Sequence, residues 1–352
     1  MRVVVAMSGG VDSSTVAGLL AEAGHEVIGV TLQLYDQGAA SGRRGACCAG
    51  QDIHDARRVA DHLGIAQYVI DAEARFRSAV IQDFADSYAA GETPVPCVRC
   101  NQSVKFTDLL ALSRDLGAER MATGHYVRRV EGAEGAELHV AADPARDQSW
   151  FLFATTQAQL EQSLFPLGDI ADKAAVRAQA ARLGLAVAAK PDSQDICFVP
   201  SGSYAAVVGR LRPDAIAPGD IVDADGRALG RHDGVAGFTV GQSRRLGAAA
   251  GTGSARRMVV GLDAATRRVT IGPRDSGRRE VALRDVNWLT PPASRRITVK
   301  LRAREAPHGA ELTPTPDGAE VLLDRPAMPA PGQACVFYDG TRILGGGFIR
   351  RR

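Results

Sequence analysis

The chain has 352 residues, of which 45% are hydrophobic and 23% charged. At roughly 100 to 200 residues per domain, this length predicts two or three domains with a full-sized core, and the balanced composition excludes a disordered, collagen-like or coiled-coil protein. Net charge is +2, yet residues 1–200 carry 18 Lys+Arg against 25 Asp+Glu, and residues 201–352 carry 24 against 15. An acidic first part is thus followed by a basic one, a candidate surface for polyanions. No apolar stretch reaches the roughly 18 residues of a membrane helix, and Met1 to Met7 runs straight into a Ser-Gly-Gly turn without the apolar region of a signal peptide. A cytoplasmic protein with no membrane partner is expected.

Arg2 to Met7, β-branched and apolar, predicts a buried strand ending in Ser8-Gly9-Gly10-Val11-Asp12-Ser13-Ser14. Ser13 or Ser14 is the expected N-cap of a helix over Thr15 to Ala23, Gly24 stops it, and Glu26 to Leu34 reads as the next strand. This is a βαβ unit and implies a parallel sheet. The pattern recurs in helix Asp52 to Leu63, strand Gln67 to Asp71, helices Phe76 to Ala90 and Phe106 to Leu116, and strand Arg120 to Gly124. The predicted fold class is α/β with a doubly wound parallel sheet, in a catalytic domain over 1–200. After Pro200, short β-prone runs separated by Gly, Pro and Asp predict two small β-rich domains, 201–278 and a β-barrel-like 279–352. Phe238 to Val240 and Ile297 to Arg304 are among the expected strands.

The Gly-rich turn between the first strand and its helix puts backbone N–H groups and a helix N-terminus where a phosphate can sit. It lacks the Gly-Lys-Ser/Thr of a Walker A loop and the Gly-x-Gly-x-x-Gly of a dinucleotide fold. Gly251-x-Gly253 has no strand-to-helix context and is not read as a nucleotide loop. The six cysteines, at 47, 48, 97, 100, 197 and 335, are too few for a disulfide scaffold. Cys97-Val98-Arg99-Cys100 by itself is half a zinc site, a redox pair or a coincidence. Together with Cys197 it allows two schemes. One thiol carries sulfur as a persulfide that another later attacks, or Cys97, Cys100 and Cys197 hold an iron–sulfur cluster with one iron open. Cys47, Cys48 and Cys335 read as packing residues.

Ser8 to Ser13 resembles the Ser-Gly-Gly-x-Asp-Ser signature of the ATP pyrophosphatase (PP-loop) superfamily, whose adenine nucleotide alpha hydrolase-like members cut ATP between its α and β phosphates. A closer resemblance, to the tRNA-specific 2-thiouridylases of the MnmA/TrmU type, rests on segments spread in order along the chain. They are Ala6 to Ser14, Asp55 to Ala60, Cys100-Asn101 with Lys105-Phe106, Ala122 to Tyr126, Asp147-Gln148-Ser149, Asp192 to Phe198, Thr239 to Gln242, and Pro331-Gly332-Gln333. The resemblance implies a sulfurtransferase that uses ATP and Mg to adenylate the wobble uridine of tRNA and then inserts sulfur at carbon 2. It implies nucleotide contacts at Ala6, Met7, Ser8, Gly9, Gly10, Val11, Asp12, Ser13, Leu32 and Gly124. Cys197 would carry the persulfide sulfur and Cys100 would complete transfer, leaving a Cys100–Cys197 disulfide bond. The implied tRNA contacts are Val95, Pro96 and Cys97 around the target base, with His125, Arg146, Asp147, Gln148, Arg302, Arg304 and Gln333. The sulfur would come from a persulfide donor such as a cysteine desulfurase or relay protein.

The chain departs from the family at Cys97, where many members carry an Asp with an acid/base role. Two rivals remain at this point. One is a PP-loop synthetase that adenylates a small carboxylate or purine, which leaves Cys100, Cys197 and the basic C-terminal part unexplained. The other is a non-enzymatic RNA- or metal-binding module with structural cysteines.

Overall fold

The computed structural model describes residues 1–35, 48–192, 196–199, 203–251 and 257–351. The chain divides into two compact units: Met1–Ala79 with Cys97–Phe198 and Thr341–Ile343, and Val80–Pro96 with Val199–Gly340 and Leu344–Arg352.

The first unit is built on strands β1 (Arg2–Ala6), β2 (Glu26–Gln33), β3 (Ala66–Asp71), β4 (Arg120–Ala122) and β7 (Ser163–Leu164). Their order is β3-β2-β1-β4-β7, and every neighbouring pair is parallel. Val3, Val4 and Val5 of the central strand are fully buried, the continuous apolar run expected where both faces of a parallel sheet are covered. Helix α1 (Val11–Glu22) follows β1 and packs on α2 (Cys48–Leu63) and α8 (Lys173–Arg182). The chain leaves β1 for β2 on one side and has β4 on the other, so strand order reverses at the carboxyl end of β1, where open α/β sheets bind ligands. A hairpin, β5 (Val127–Gly132) and β6 (Gly135–Val140), follows β4, and Arg342 pairs with His139 along its outer strand.

Between β3 and β4 lie α3 (Glu73–Phe76), a π-helical turn over Arg77–Ile81, α4 (Gln82–Ala89), α5 (Pro96–Cys100), a second π-helical segment over Asn101–Leu109, and α6 (Leu110–Asp115). The two predicted helices are thus both interrupted, and the second begins ten residues earlier than its apolar spacing indicated. Proline at the start of α5 is suited to a first helical position, where its missing N–H costs nothing.

The second unit contains α9 (Tyr204–Leu211) and a four-stranded sheet of β8 (Gly219–Val222), β9 (Ala228–His232), β10 (Met258–Asp263) and β11 (Arg268–Gly272), in the order β10-β11-β8-β9. It also contains a closed barrel of β12 (Arg278–Trp288), β13 (Arg296–Lys300), β14 (His308–Thr315), β15 (Gly318–Ala327), β16 (Ala334–Asp339) and β17 (Arg342–Ile349). The barrel runs β12-β15-β14-β13-β16-β17 and closes through a β12–β17 pairing. Closure leaves no unpaired edge. Its core includes Val299, Leu312, Leu323, Phe337 and Cys335, so Cys335 is a packing residue.

Four local expectations are corrected. Helix α1 starts at Val11 with Gly10 at its N-cap, because the Ser13 hydroxyl is drawn back into the loop, accepting from the Ser8 N–H at 3.0 Å. The strand over 120–124 ends at Ala122, where the Thr123 hydroxyl and the His125 ring bond each other locally. Phe238 to Val240 is a turn, pinned by the Gln242 side chain accepting from the Thr239 N–H. The strand over 297–304 ends at Lys300, since Glu305 folds back to accept from the N–H groups of Leu301 and Arg302. Gly253, Cys47 and the Cys48 side chain lie outside the described residues.

Leu323 is fully buried in the barrel. Leu323→Ala is expected to destabilise this region by roughly 2–5 kcal/mol. Amide exchange checks this, with faster exchange in β14 and β15 and little change in β1 to β3.

Candidate active site

The turn from β1 into α1 is shaped by close approach. Gly9 has φ +73°, and a Cβ there would lie 2.1 Å from the backbone oxygen of Asp52. Gly124, just beyond β4, lies so close to α1 that a Cβ would be 2.9 Å from the Ser13 nitrogen. Only glycine lets these three backbones converge at the start of the helix, where N–H groups without an intrahelical partner point outward.

Two lysines anchor the turn. Lys173 Nζ, from the first position of α8, donates to both carboxylate oxygens of Asp12 at 2.7 and 2.8 Å and lies 2.9 Å from Asp192 Oδ1. It also stands 5.7 Å above the ring of Tyr126, whose hydroxyl donates to Asp12 Oδ1 at 2.6 Å. Lys190 Nζ donates to the Gly9 carbonyl at 2.9 Å, Asp52 Oδ1 at 2.7 Å and Asp55 Oδ2 at 2.6 Å. Burial opposes the charge of Asp55, but its bonds from Lys190 and Gln51 outweigh that and hold the carboxyl below its usual range. For Lys190, burial lowers and the two aspartates raise, with a net upward shift. Asp192, half-buried, accepts from Arg146 at 2.9 Å and from Arg177 at 3.2 Å, and Lys173 followed by Arg146 overcomes its burial and holds its carboxyl below the usual range.

Two adjoining cavities open on this turn. The first, about 240 Å³, is lined by Ala6, Met7, Ser8, Asp12 and Ser13 on one side and by Val30, Leu32, Leu34, Lys105, Leu109, Thr123, Gly124, His125 and Gln148 on the others. The second, about 420 Å³, shares Ser8, Asp12, Leu32, Leu34 and Gln148 and adds Gly10, Val11, Asp52, Tyr126, Arg146, Lys190, Asp192 and Cys197. One wall is therefore apolar and the other a row of alternating charges, the pairing needed by a base attached to phosphates.

The thiols lie at the same end of the unit. Cys100 is buried, whereas Cys97 and Cys197 reach the surface although neighbouring atoms crowd their thiols. Burial pushes all three thiols up, Cys197 to about 12, and Cys197 is raised further by Cys100 and then Cys97, so the three are near enough to act on one another. Lys105 lowers each of them. Its Nζ donates to Asn101 Oδ1 at 3.1 Å, while Asn101 Nδ2 donates to the Phe151 carbonyl at 3.1 Å. The π-helical segment carries both residues and so aims Lys105 into the first cavity. Cys197 is placed by Phe198, whose ring packs edge-on against Phe76 at 5.8 Å. Ser193, Gln194 and Asp195 lie outside the described residues.

The remaining expected site residues fall in different settings. His125 bonds Thr123 Oγ1 at 2.8 Å and packs between Phe106 and Phe165; burial, aided by Lys105, holds it well below its usual pKa, hence neutral. Asp147 accepts from the N–H groups of Ala141 and Ser149, and Gln148 accepts from the Tyr126 N–H at 2.9 Å. In the second unit, Val95 and Pro96 are buried. Arg302 donates to the carbonyls of Val240 and Met328, Arg304 is exposed, and Gln333 donates to the Thr93 carbonyl at 3.0 Å. Sequence reasoning assigns no role to Lys173 or Lys190, because isolated lysines, one opening a helix and one in a loop, carry no spacing signal. Lys105, Tyr126 and Asp192 stood within matched segments but had no role assigned. Among the described residues, no three His, Cys, Asp or Glu side chains are arranged to hold a metal ion, so the three thiols do not fit a cluster as they stand. No helix of the described residues is long and apolar enough to cross a membrane.

Because the Cys197 thiol is pushed up to about 12, its alkylation by iodoacetamide in the nucleotide-free protein is expected to rise with pH. The rate should grow about tenfold per unit between pH 7 and 10, following the thiolate fraction. Lys105→Met removes the positive charge, raises the thiols further and is expected to slow alkylation several-fold at each pH, measured by mass spectrometry of the Cys197 peptide.

Comparison with known proteins agrees along the whole chain. Residues 1–201 match the family model described as tRNA methyl transferase HUP domain, 207–273 the tRNA methyl transferase PRC-barrel domain, and 278–349 the aminomethyltransferase beta-barrel domain. The chain is 68% identical to the tRNA-specific 2-thiouridylase MnmA of Acidiphilium cryptum (strain JF-5), across 99% of this chain and 100% of that one. It is 62% identical to the protein of the same name from Gluconobacter oxydans (strain 621H), across 99% of each. It is 59% identical to that of Rhodospirillum centenum (strain ATCC 51521 / SW), across 99% of this chain and 92% of the relative. With a parallel-sheet domain ahead of two β-rich ones, and relatives matched over nearly its full length, the chain belongs to the tRNA-specific 2-thiouridylase MnmA family.

Proposed function

We propose that the protein is a cytoplasmic tRNA 2-thiouridylase, converting the wobble uridine to 2-thiouridine with release of AMP and pyrophosphate. The observation that carries this reading is that Cys197 lines the same cavity as Ser8, Gly10 and Asp12, with Cys100 close by. A phosphate loop alone suits any PP-loop enzyme; a thiol beside it suits replacement of oxygen by sulfur.

The chemistry follows from a poor leaving group. A uracil carbonyl oxygen does not depart unaided, whereas an oxygen bonded to the α-phosphate of ATP leaves as AMP. The N–H groups of the Ser8 to Ser13 turn hold phosphate oxygens, Leu32, Val30 and Leu109 face the adenine, and Gly124 lets the base approach α1. Lys173 and Lys190 exchange part of their carboxylate contacts for phosphate oxygens as ATP enters. Magnesium requires only one or two carboxylates beside substrate phosphates, a donor set that Asp12 and Asp192 supply, and when bound it neutralises charge on the departing pyrophosphate. A persulfide on Cys197 then attacks carbon 2 through its terminal sulfur, and the C–O bond to AMP breaks. Cys100 attacks the Cys197 Sγ, the S–S bond breaks, 2-thiouridine is released and a Cys100–Cys197 disulfide remains. Lys105 favours the thiolates this needs. Enclosing the flipped-out base keeps water from adenylate and persulfide.

In the first unit Cys97, His125, Arg146, Asp147 and Gln148, and in the second Val95, Pro96, Arg302, Arg304 and Gln333, are the proposed tRNA contacts, with the basic residues on phosphates. The sulfur donor is a protein that carries persulfide, such as a cysteine desulfurase or relay protein. The three matched segments are proposed to act as a catalytic domain over 1–200, a central domain over 201–278 and a tRNA-contacting barrel over 279–352.

Incubation with unmodified tRNA, ATP, magnesium and a persulfide donor is expected to yield 2-thiouridine by nucleoside mass analysis, and Asp12→Ala to lower its rate by about a hundredfold or more. No 2-thiouridine under competent sulfur supply would sink the proposal. Arg304→Glu is expected to weaken tRNA binding and to flatten the log–log salt dependence by roughly one unit; an unchanged slope rejects that contact.

A further inference from the structure

Cys97 stands where the proposed reaction has no use for a third thiol. That reaction ends with Cys100 joined to Cys197, and Cys197 cannot take up another sulfur until the bond opens. Cys100, at the end of α5, is only 7% exposed, so a reductant meets this bond from the Cys197 side, where attack places the external thiol on the very sulfur that must be reloaded. Cys97, in the first turn of the same helix, is exposed. Three residues apart on a helix, their side chains are neighbours, and one turn's Cα separation lies within the range a disulfide spans. Both belong to the same compact unit as Cys197.

Resting on the function proposed above, we infer that Cys97 is a resolving thiol that transfers the product disulfide from the Cys100–Cys197 pair to the Cys97–Cys100 pair. The Cys97 thiolate attacks Cys100 Sγ, the bond to Cys197 breaks, and Cys197 departs as a thiolate that takes up the proton Cys97 gave away. One S–S bond forms as one breaks, with no net change of oxidation state. An external dithiol then attacks the exposed Cys97 sulfur, supplies two electrons and two protons, and leaves Cys97 and Cys100 reduced. Cys197 is thereby free for reloading before the enzyme meets its reductant. Held one turn away, Cys97 acts at a high effective concentration that a diffusing thiol does not match. Lys105 stands beside the thiols and favours the thiolate at each stage.

The test maps disulfides after one turnover of the full-length enzyme carrying a single persulfide, with tRNA and ATP and no reductant, followed by acid quench, alkylation and peptide mass analysis. The wild type is expected to show a Cys97–Cys100 disulfide and an alkylated Cys197. Cys97→Ser is expected to retain Cys100–Cys197 and, when dithiothreitol is added, to free Cys197 about tenfold more slowly than the wild type or worse. A wild type that stops at Cys100–Cys197 overturns the inference, as does Cys97→Ser freeing Cys197 at the wild-type rate. So does a Cys97→Ser protein that forms no disulfide where the wild type does, since Cys97 would then belong to sulfur transfer itself. Wild type that makes neither 2-thiouridine nor a disulfide overturns the thiouridylase reading, and this inference with it.

Discussion

The site depends on two ammonium groups that reach the first βα turn from far along the chain. Lys173 holds Asp12 against Asp192, and Lys190 ties the Gly9 carbonyl to Asp52 and Asp55. Neither lysine is fully buried, so each keeps enough hydration to stay charged while its carboxylates fix its position. The result is a rim of alternating charge around backbone donors. On the proposed function, an incoming polyphosphate meets cations already in place, and each carboxylate it displaces is returned to another cation or to water. This arrangement lets one loop bind an anion of high charge without leaving an unpaired lysine when it is empty.

The thiol region obeys a different constraint. Burial by itself disfavours thiolates, and the upward shifts of Cys97, Cys100 and Cys197 show that cost. Lys105 partly offsets it, and the π-helical segment that carries Lys105 directs it toward the first cavity. Inserted residues of this kind recur at functional sites because they re-aim a side chain without ending the helix. One cation thus faces the cavity and at the same time biases the sulfur groups. His125, kept neutral in the same wall, adds an aromatic surface without a competing charge.

Much of this was legible in the sequence because local chemistry is short-range. The valines of β1, the glycines of the turn and the helix that follows specify a strand-turn-helix unit within some twenty residues. Helix ends were less legible: Ser13 looked like a cap, yet its hydroxyl serves the loop that precedes it. The strand predicted through Arg304 stops at Lys300 because Glu305 competes for the backbone N–H groups, a side-chain preference that alternation of residue types does not encode.

The sequence by itself determined the parallel α/β domain, the β-rich remainder and the glycine-rich turn after the first strand, since periodicity, turn residues and motif spacing are properties of adjacent positions. Only the tertiary structure decided that Lys173 and Lys190 close the turn, that Lys105 sits beside three thiols, and that Cys197 borders the cavity of Ser8 and Asp12. The physical reason is that an ion pair or a thiol's environment depends on distance in space. Residues such as Gly9 and Lys190, 181 positions apart, carry no mark of their meeting until the sheet and helices bring them together.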